Sequence, residues 1–286
     1  MCGIAGFWAP KGRISEAVAT LTSMGKAIEH RGPDAQGLIW DEKAHMGLVH
    51  RRLAIQDLSP AGAQPMKSSS GRFVIVFNGE IYNFRALAAE LECAGHHFRG
   101  HSDTEVMLAA FEQWGVEKSL KRFAGMFAFA LWDRYDACLW LARDRMGEKP
   151  LYYGWHHGPL LFASELKAMR AFPGFSPEIN RDALTLLLRH NYIPAPHSIY
   201  RGIYKLLPAH FLCFNLLNKE SNHRPHAYWS LADTFQTTEK WDLNTAEEEL
   251  DSRLGEVIKE QMIADVPLGA FLSGGIDSST VVALMQ

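Results

Sequence analysis

The stretch MCGIAGFW (residues 1–8) places a cysteine directly after the initiator methionine and follows it with a short, mostly apolar run. Chain ends are usually mobile and solvated, so this is an unusual position for a structural cysteine. If Met1 is removed, Cys2 carries both a thiol and an α-amine, with ordinary pKa values of about 8.5 and about 7.7–8.0, and the amine can serve the thiol as a base. Alternatively, Cys2 is only an early residue of a first strand. The stretch alone leaves both interpretations open.

The composition is that of an ordinary globular protein with two domains or one large domain. The 286 residues are 47% hydrophobic and 21% charged, with a formal net charge of -3 and no long Lys or Arg run, which argues against a nucleic-acid partner. The longest apolar stretches are too short for a membrane span, and no signal-peptide pattern precedes them, so we expect a cytoplasmic protein without a membrane partner. The four cysteines include no C-x-x-C pair and the paired histidines lack ligand spacing, which predicts neither a zinc ribbon nor a disulfide framework.

The first two thirds of the chain combine strand-like and helix-like patterns. RFVIVFNGE (residues 72–80) predicts a buried strand that breaks into a turn at Asn78-Gly79. MFAFALWD with CLWLARD, and PLYYGW with LLFAS, predict two antiparallel pairs. Amphipathic helices are expected over residues 14–30, 84–94 and 102–114, the last opened by a capping box of Ser102 and Glu105. This is the pattern of an α+β domain with mostly antiparallel sheet.

After about Ser176 the pattern changes to proline-containing loops and a polar connecting stretch. A capped helix is expected within residues 245–267, followed by a strand LGAFL (268–272), a loop SGGIDSS (273–279) and a helix beginning TVVALMQ. Such a unit begins a parallel α/β domain, and one strand with one helix cannot bury its own faces. We therefore expect a first domain over residues 2–212, a connecting region over 213–244 and a truncated second domain over 245–286.

Nine motifs occur in order along the first domain: CGIAG, HRGPD, HRRLAIQDL, GAQPM, FNGEIYN, GHSDTEV, GMFAFALWD, ARDRMGEKPLYY and FASELKA. Together with SGGIDSS they resemble the asparagine synthetase family, whose glutamine-hydrolysing domain has an N-terminal nucleophile. The resemblance implies an αββα sandwich followed by the start of an α/β domain of the adenine-nucleotide α-hydrolase-like fold.

The resemblance also implies the residues of a glutamine site. Cys2 would attack the side-chain amide carbon, while Asn78 and the backbone N–H of Gly79 would form an oxyanion hole. Arg52 would hold the α-carboxylate of glutamine and Asp103 its α-ammonium. The remaining contacts would come from the backbone around four residues together with one acidic side chain: Leu53, Ala54, Ile55, Gln56 and Glu80. Taken alone, Asn78-Gly79 is more typical of a hairpin turn than of an oxyanion hole, and the motif FNGEIYN reverses that preference. Asp103 is also typical of a favourable charge at a helix start, which is compatible with binding an ammonium group.

A second site is implied by SGGIDSS, which lacks the lysine and spacing of a Walker P-loop. Two glycines and several hydroxyls at a helix start suit the phosphates of ATP or pyrophosphate. The residues concerned are Leu272, Ser273, Gly274, Gly275, Asp277 and Ser278. By family resemblance Asp277 would help to organise Mg²⁺, for which carboxylate and phosphate oxygens are suitable ligands.

The implied reaction joins the two sites. Glutamine is hydrolysed at Cys2 without a cofactor, ammonia crosses an apolar path, and ATP with Mg²⁺ activates aspartate to give asparagine, AMP and pyrophosphate. The 286 residues would at most hydrolyse glutamine. One alternative is that the full protein amidates a carboxylate other than aspartate. A further alternative, which the sequence favours less, is a non-catalytic glutaminase-like module. The sequence leaves open whether the chain forms a homodimer.

Overall fold

The computed structural model describes residues 1–9, 16–216, 224–235 and 241–286. Its strands are β1 (Gly3–Trp8), β2 (Ala35–Asp41), β3 (Met46–Arg52), β4 (Met66–Lys67), β5 (Phe73–Ile81), β6 (Gly125–Asp133), β7 (Cys138–Arg143), β8 (Tyr152–Trp155), β9 (Leu160–Ala163), β10 (Ile203–Lys205), β11 (His210–Asn215) and β12 (His226–Ala227). Its helices are α1 (Ala17–Ala27), α2 (Phe84–Cys93), α3 (Asp103–Trp114), α4 (Val116–Arg122), α5 (Leu166–Arg170), α6 (Arg181–His190), α7 (Leu231–Thr234), α8 (Leu243–Gln261) and α9 (Ile276–Leu284). None of these helices is long and apolar enough to cross a membrane.

Two antiparallel sheets form the centre of the fold. The first has the order β10-β8-β9-β1-β3-β2, and the second β12-β11-β7-β6-β5-β4. Side chains alternate between the faces of each strand, so each sheet buries one face against the other sheet and one against helices. In β5, Val74 and Val76 belong to the core between the sheets, whereas Phe73, Ile75 and Phe77 belong to the core under α2–α4. The predicted αββα sandwich is therefore present.

The first strand contributes side chains to the core between the sheets and to a further core under α1 and α5. Ile4 and Trp8 face the second sheet, while Ala5 and Phe7 pack under α1 and α5. β1 lies between β3 and β9, so it is a central strand of its sheet. Cys2 precedes β1 by one residue and is therefore held at the edge of the sandwich by a strand paired on both sides.

Several predicted elements are confirmed. The pairs β6–β7 and β8–β9 are the two expected hairpins, α2 covers the helix expected over 84–94, and α8 begins at the side-chain cap of Asp242. Ser102 caps α3, but the Glu105 carboxylate accepts from the N–H groups of Arg99 and Gly100 and does not complete the expected box. The expected helix over 14–30 is shorter, and its start at Ile14 lies outside the described residues.

The predicted turn at Asn78-Gly79 is wrong. β5 continues to Ile81, with Asn78 opposite Ala128 and Gly79 opposite Phe127. A side chain at position 79 would meet the Met126 carbonyl oxygen 2.1 Å from its Cβ, so this position requires glycine because of a close strand contact. The long ladder with β6 overrides the local turn preference of the dipeptide.

The expected strand over residues 268–272 is also absent. These residues have no regular secondary structure and are exposed, and no described strand pairs with them. The helix that follows begins at Ile276, inside the SGGIDSS motif. The predicted domain boundary at Leu212 falls inside β11, and β12 pairs with β11, so the second sheet extends into the predicted connecting region.

Candidate active site

The two sheets bring Cys2 and Asn78 into one cavity. Asn78 has the same orientation on β5 as Val74 and Val76, so it points between the sheets towards the side where the first sheet begins with Cys2. The cavity has a volume of about 260 Å³. Its lining residues come from the chain start, the loop after β3, the end of β5, β6, the loop before β8 and the segment after α8: Met1, Cys2, Leu53, Ile55, Asn78, Gly79, Glu80, Tyr82, Met126, Lys149, Gln261, Ile263, Ala264 and Leu268.

Cys2 is held by its own backbone and by its thiol. Arg31 Nε donates to the Cys2 carbonyl oxygen at 2.9 Å. Leu53 N–H donates to Cys2 Sγ at 3.4 Å, and Sγ lies 3.6 Å from the Leu53 carbonyl oxygen. Burial raises the pKa of the Cys2 thiol, and the Leu53 backbone contact opposes that rise. A base is therefore needed to form a thiolate at neutral pH.

Asn78 offers an unsatisfied amide to the cavity. Its side chain is 1% exposed, and neither Nδ2 nor Oδ1 has a hydrogen-bond partner among the described residues. A buried amide without a partner costs about 1–3 kcal/mol, so such an arrangement is rare in structural positions. The amide is suited to bind a group that enters the cavity.

The backbone N–H of Gly79 also points into the cavity. Backbone N–H groups two residues apart on a strand point to the same edge. On the edge of β5 facing away from β6, Phe77 N–H donates to Gln64 Oε1 at 2.7 Å and Ile81 N–H donates to an Asp103 oxygen at 2.9 Å. Gly79 lies between these residues, which directs its N–H into the cavity that it lines. Asn78 and Gly79 thus present two fixed donors beside the thiol.

His50 helps to hold this part of β5. Its side chain is 1% exposed, and its Nε2 lies 3.0 Å from the carbonyl oxygen of Phe77, the residue before Asn78. Burial lowers the pKa of His50 to about 3, so the imidazole is neutral and Nε2–H donates. His50 was not predicted from the sequence, because a single histidine before two arginines forms no pattern that marks a functional residue.

Two acidic side chains lie near each other at the end of β5: Glu80 lines the cavity, and the buried carboxylate of Asp103 is close to Glu80 without lining the cavity itself. Gln56 Nε2 donates to Glu80 Oε2 at 2.5 Å, and Asp103 accepts from Ile81 N–H. Burial and the nearby Asp103 raise the pKa of Glu80 to about 8, and burial raises the pKa of Asp103 to about 6. A cation placed here would favour the ionised form of both groups. The pair therefore suits an ammonium group.

The raised pKa of Glu80 predicts that the folded protein loses stability as the pH rises, and that the substitution Glu80→Gln removes this loss. A carboxyl whose folded pKa is about 8 and unfolded pKa about 4.3 binds its proton more tightly when folded, so its stabilising contribution is lost as pH rises through 8. We expect urea unfolding to show that, between about pH 5 and pH 9, the free energy of unfolding of the variant rises relative to that of the wild type by on the order of 2–4 kcal/mol. Glu117→Gln, at an exposed position of α4, is the control. Parallel pH curves for wild type and Glu80→Gln would contradict the assignment.

Four of the predicted glutamine-site residues do not line the cavity: Arg52, Ala54, Gln56 and Asp103. The guanidinium of Arg52 donates to the carbonyl oxygens of Gln56, Asp57 and Ser59, at 3.3 Å for Gln56 and 3.1 Å for Ser59. It therefore braces the loop over residues 53–59 from within, and it does not line the cavity. Ala54 N–H is likewise turned away and donates to Asp34 Oδ2 at 2.8 Å.

Tyr82, Met126 and Lys149 are among the cavity residues that had not been singled out from the sequence. Tyr82 and Met126 line the wall, and Lys149 lies 5% exposed beside the chain start, where its Nζ is 3.4 Å from Met1 Sδ. Tyr82 directly follows the end of β5, two residues after Glu80, so continuing the two-residue period of the strand by one step could have found it. Lys149 precedes a proline in a loop, and no local period marks it.

The predicted phosphate loop lies apart from this cavity. Ser273 Oγ and Ser278 Oγ are 2.9 Å apart, and Gly274 has a positive φ of 80° with no atom within 4 Å of an ideal Cβ. Gly275 precedes α9, whose first N–H groups face the loop. Open backbone, hydroxyls and a helix start are donors that fit a pyrophosphate group. Asp277 adds one carboxylate, and no cluster of three metal-ligating side chains occurs in the described ranges.

Comparison with known proteins agrees with these observations. The family model of the glutamine amidotransferase domain matches residues 1–229, and that of asparagine synthase matches residues 249–286. A putative glutamine-hydrolysing asparagine synthetase of Methanocaldococcus jannaschii is 38% identical over the whole chain and 57% of its own length. Asparagine synthetase 3 of Bacillus subtilis is 34% identical over 99% of the chain and 45% of its own length, so the chain spans about half the length of the curated relatives it matches.

The fold has solved counterparts. The phosphoribosylpyrophosphate amidotransferase of Bacillus subtilis superposes with a TM-score of 0.57 over 80% of this chain and 49% of its own, at 18% identity. An allosteric regulatory enzyme of purine biosynthesis gives a TM-score of 0.59 at 19% identity. At such identities the likeness shows the α+β fold alone. With a matched domain that covers most of its length, this chain belongs to the glutamine amidotransferase family.

Proposed function

We propose that the chain hydrolyses L-glutamine to glutamate and ammonia at Cys2. In a protein of the relatives' length, the ammonia would convert aspartate to asparagine with ATP, releasing AMP and pyrophosphate. The observation that carries the proposal is the meeting of Cys2 with the unsatisfied amide of Asn78 and the N–H of Gly79 in one cavity. A nucleophile beside two fixed donors is the arrangement that acyl transfer from an amide requires.

The reaction needs the α-amine of Cys2, and so removal of Met1. The amine accepts the thiol proton while Sγ bonds to the amide carbon of glutamine, and the oxygen of that group gains negative charge between Asn78 Nδ2 and Gly79 N–H. Collapse breaks the carbon–nitrogen bond, the amine returns the proton to nitrogen, and ammonia leaves a thioester. Water then attacks the thioester, giving glutamate and the free thiol. In the chain that retains Met1, burial lowers the pKa of the Met1 α-amine, the Cys2 thiol opposes this shift, and Arg31 and Lys149 add to it.

The charged groups of free glutamine have assigned partners in the proposal. Asp103 and Glu80 receive the α-ammonium at the acidic end of the cavity. Arg52 serves the α-carboxylate by shaping the backbone around Leu53, Ala54, Ile55 and Gln56, since its own guanidinium is occupied by carbonyl oxygens of that loop. This differs from a direct bidentate contact and places the carboxylate near backbone N–H groups.

For the second site we propose ATP, with the phosphates at Ser273, Gly274, Gly275 and Ser278 and with Asp277 near Mg²⁺. Leu272 precedes this loop and would lie against the nucleotide. When bound, ATP would supply the activation of a carboxylate, while the chain's own residues hold the phosphates. A cytoplasmic location and the division into residues 2–212, 213–244 and 245–286 belong to the same proposal, with β11 and β12 continuing the first domain past its proposed boundary. Whether the chain forms a homodimer stays open.

A second candidate is amidation of a carboxylate other than aspartate. It is favoured by a relative named amidase chry2 from Gibberella zeae, which is 35% identical over the whole chain and 43% of its own length. Both candidates share the glutamine chemistry at Cys2, and they differ only in the acceptor that uses the ammonia.

The test compares the chain with and without Met1. Glutamate and ammonia production should be stoichiometric in the processed protein. A variant with Glu inserted between Met1 and Cys2 should lose at least about 10²-fold in kcat, because the amine then belongs to another residue and no longer reaches the thiol. Mass spectrometry of the intact chain establishes processing. Equal rates from the processed and extended proteins would contradict an α-amine base.

A further inference from the structure

Residues 261–268, which run from the last residue of α8 into the segment after it, lie against the glutamine cavity. Gln261, Ile263, Ala264 and Leu268 line it, and Ile263 packs on the core of the second sheet. Neither α8 nor α9 contains a buried residue, and of these two helices only Gln261 lines the cavity. The contacts of the 261–268 segment are therefore important for placing the part of the chain that contains the phosphate loop.

Asp265 makes the polar contacts of this segment. Its N–H donates to the Ile55 carbonyl oxygen at 2.9 Å. Its Oδ2 accepts from Asp57 N–H at 2.7 Å and from His101 Nε2–H at 2.9 Å. His101 and the Asp57 N–H hold the pKa of Asp265 below its ordinary value, so the carboxylate is charged at neutral pH. Hydrogen bonds to a charged acceptor are stronger than those between neutral groups.

The loop over residues 53–57, which Asp265 contacts, also contacts the thiol of Cys2. Leu53, at its beginning, contacts Cys2 Sγ through both its N–H and its carbonyl oxygen. Gln56 donates to Glu80 at the acidic end of the cavity. Leu53, which contacts Cys2, and Asp57, which contacts Asp265, are four positions apart in the same loop, so the two contacts are linked by only three intervening residues.

We propose that Asp265 is a positioning residue that couples the Leu53–Asp57 loop to the segment leading into the phosphate loop. This inference rests on the proposed hydrolysis of glutamine. Glutamine would order the loop, and the ordered loop would hold Asp265. Coupling of this kind is reciprocal: the placement of residues 263–275 then affects the binding of glutamine to the same extent.

The first test is a comparison of steady-state kinetics of glutamine hydrolysis. Asp265→Ala removes the acceptor for two N–H groups, and we expect KM for glutamine to rise about tenfold with kcat within about threefold, because Cys2, Asn78 and Gly79 stay in place. Asp265→Asn retains one acceptor oxygen and should recover most of the change in KM. Glu260→Ala, an exposed acid four residues after Glu256 at the end of α8, is the matched control and should leave both constants unchanged.

The second test measures the reciprocal effect without turnover. In a Cys2→Ala background, which binds glutamine but lacks the nucleophile, we expect L-glutamine to slow hydrogen exchange of peptides covering residues 262–275. D-glutamine at the same concentration should not. Adding Asp265→Ala should remove the protection over 262–275 while leaving the exchange of β6 unaltered, which shows that the variant is folded.

The outcomes separate the inference from the function on which it rests. If the wild type hydrolyses glutamine and Asp265→Ala has an unchanged KM, or if the protection persists without Asp265, the coupling is wrong and the proposed function stands. If Asp265→Ala lowers kcat and leaves KM unchanged, the residue acts on the reacting groups and the positioning role is wrong. If the wild type hydrolyses no glutamine, the proposed function falls and the inference falls with it.

Discussion

Cys2→Ala is expected to abolish glutamine hydrolysis, with a loss of at least about 10⁴-fold in kcat, because no other group in the cavity can form the thioester. The described cysteines other than Cys2 lie outside that cavity. Since the side chain at position 2 makes only long contacts with Leu53, the melting temperature should change little. The measurement is the rate of glutamate formation under saturating glutamine, with circular dichroism to establish folding.

Cys93→Ala is the matched control for this variant. Cys93 ends α2, is exposed, and offers a thiol of the same chemistry at a position without a cavity. We expect wild-type kinetics and stability from it. A folded Cys2→Ala protein with wild-type kcat would show that another residue is the nucleophile.

Asn78→Ala is expected to lower kcat by about 10²–10³-fold, the usual cost of losing one oxyanion-hole donor. Its effect on folding should be unusual for a buried polar residue. Because both amide atoms lack partners in the folded chain, truncation removes an unsatisfied buried group, so we expect the free energy of unfolding to stay the same or to rise by about 1 kcal/mol.

Asn83→Ala is the opposite case. Asn83 Nδ2 donates to the Arg122 carbonyl oxygen at 2.9 Å, and its Oδ1 accepts from Ala124 N–H at 3.0 Å. We expect a loss of about 1–2 kcal/mol in unfolding free energy with an unchanged kcat per folded molecule. Urea unfolding and active-site titration distinguish the two variants. If Asn78→Ala lost stability and kept its kcat, Asn78 would be a structural residue.

The sheets of the first domain could be predicted because their signals are local. Apolar runs such as GMFAFALWD, separated by short turns from their partners, specify antiparallel neighbours, and β6–β7 and β8–β9 have the expected pairing. The arrangement of two sheets face to face came from the resemblance to a family, since pairing between β1 and β9 joins residues more than 150 positions apart. Local patterns contain no information about such contacts.

Where prediction from local sequence was wrong, a distant partner decided the conformation. Asn78-Gly79 is typical of a turn, yet nine consecutive pairings between β5 and β6 keep it extended. LGAFL is typical of a buried strand, yet residues 268–272 have no described neighbour with which to pair. The direction of a side chain is equally non-local: Arg52 turns towards the carbonyl oxygens of its own loop, and this depends on how residues 56–59 fold back.

The residues of the cavity also divide into those that the sequence predicts and those that only distant contacts bring there. Cys2, Asn78, Gly79 and Glu80 were expected together and line it together. The segment around Asp265 was not expected there, because nothing in its sequence indicates which surface it covers. Its contacts with Ile55 and Asp57 join positions more than 200 residues apart.

The most direct test of a covalent role for Cys2 is to quench the processed chain with acid during steady-state turnover of glutamine and to map adducts by peptide mass spectrometry. We predict a glutamyl thioester on the N-terminal peptide at Cys2, absent from Cys2→Ala and lost on treatment with hydroxylamine. A protein that turns over glutamine while its Cys2 peptide stays unmodified, or that carries the adduct on Cys93, Cys138 or Cys213, would contradict the account.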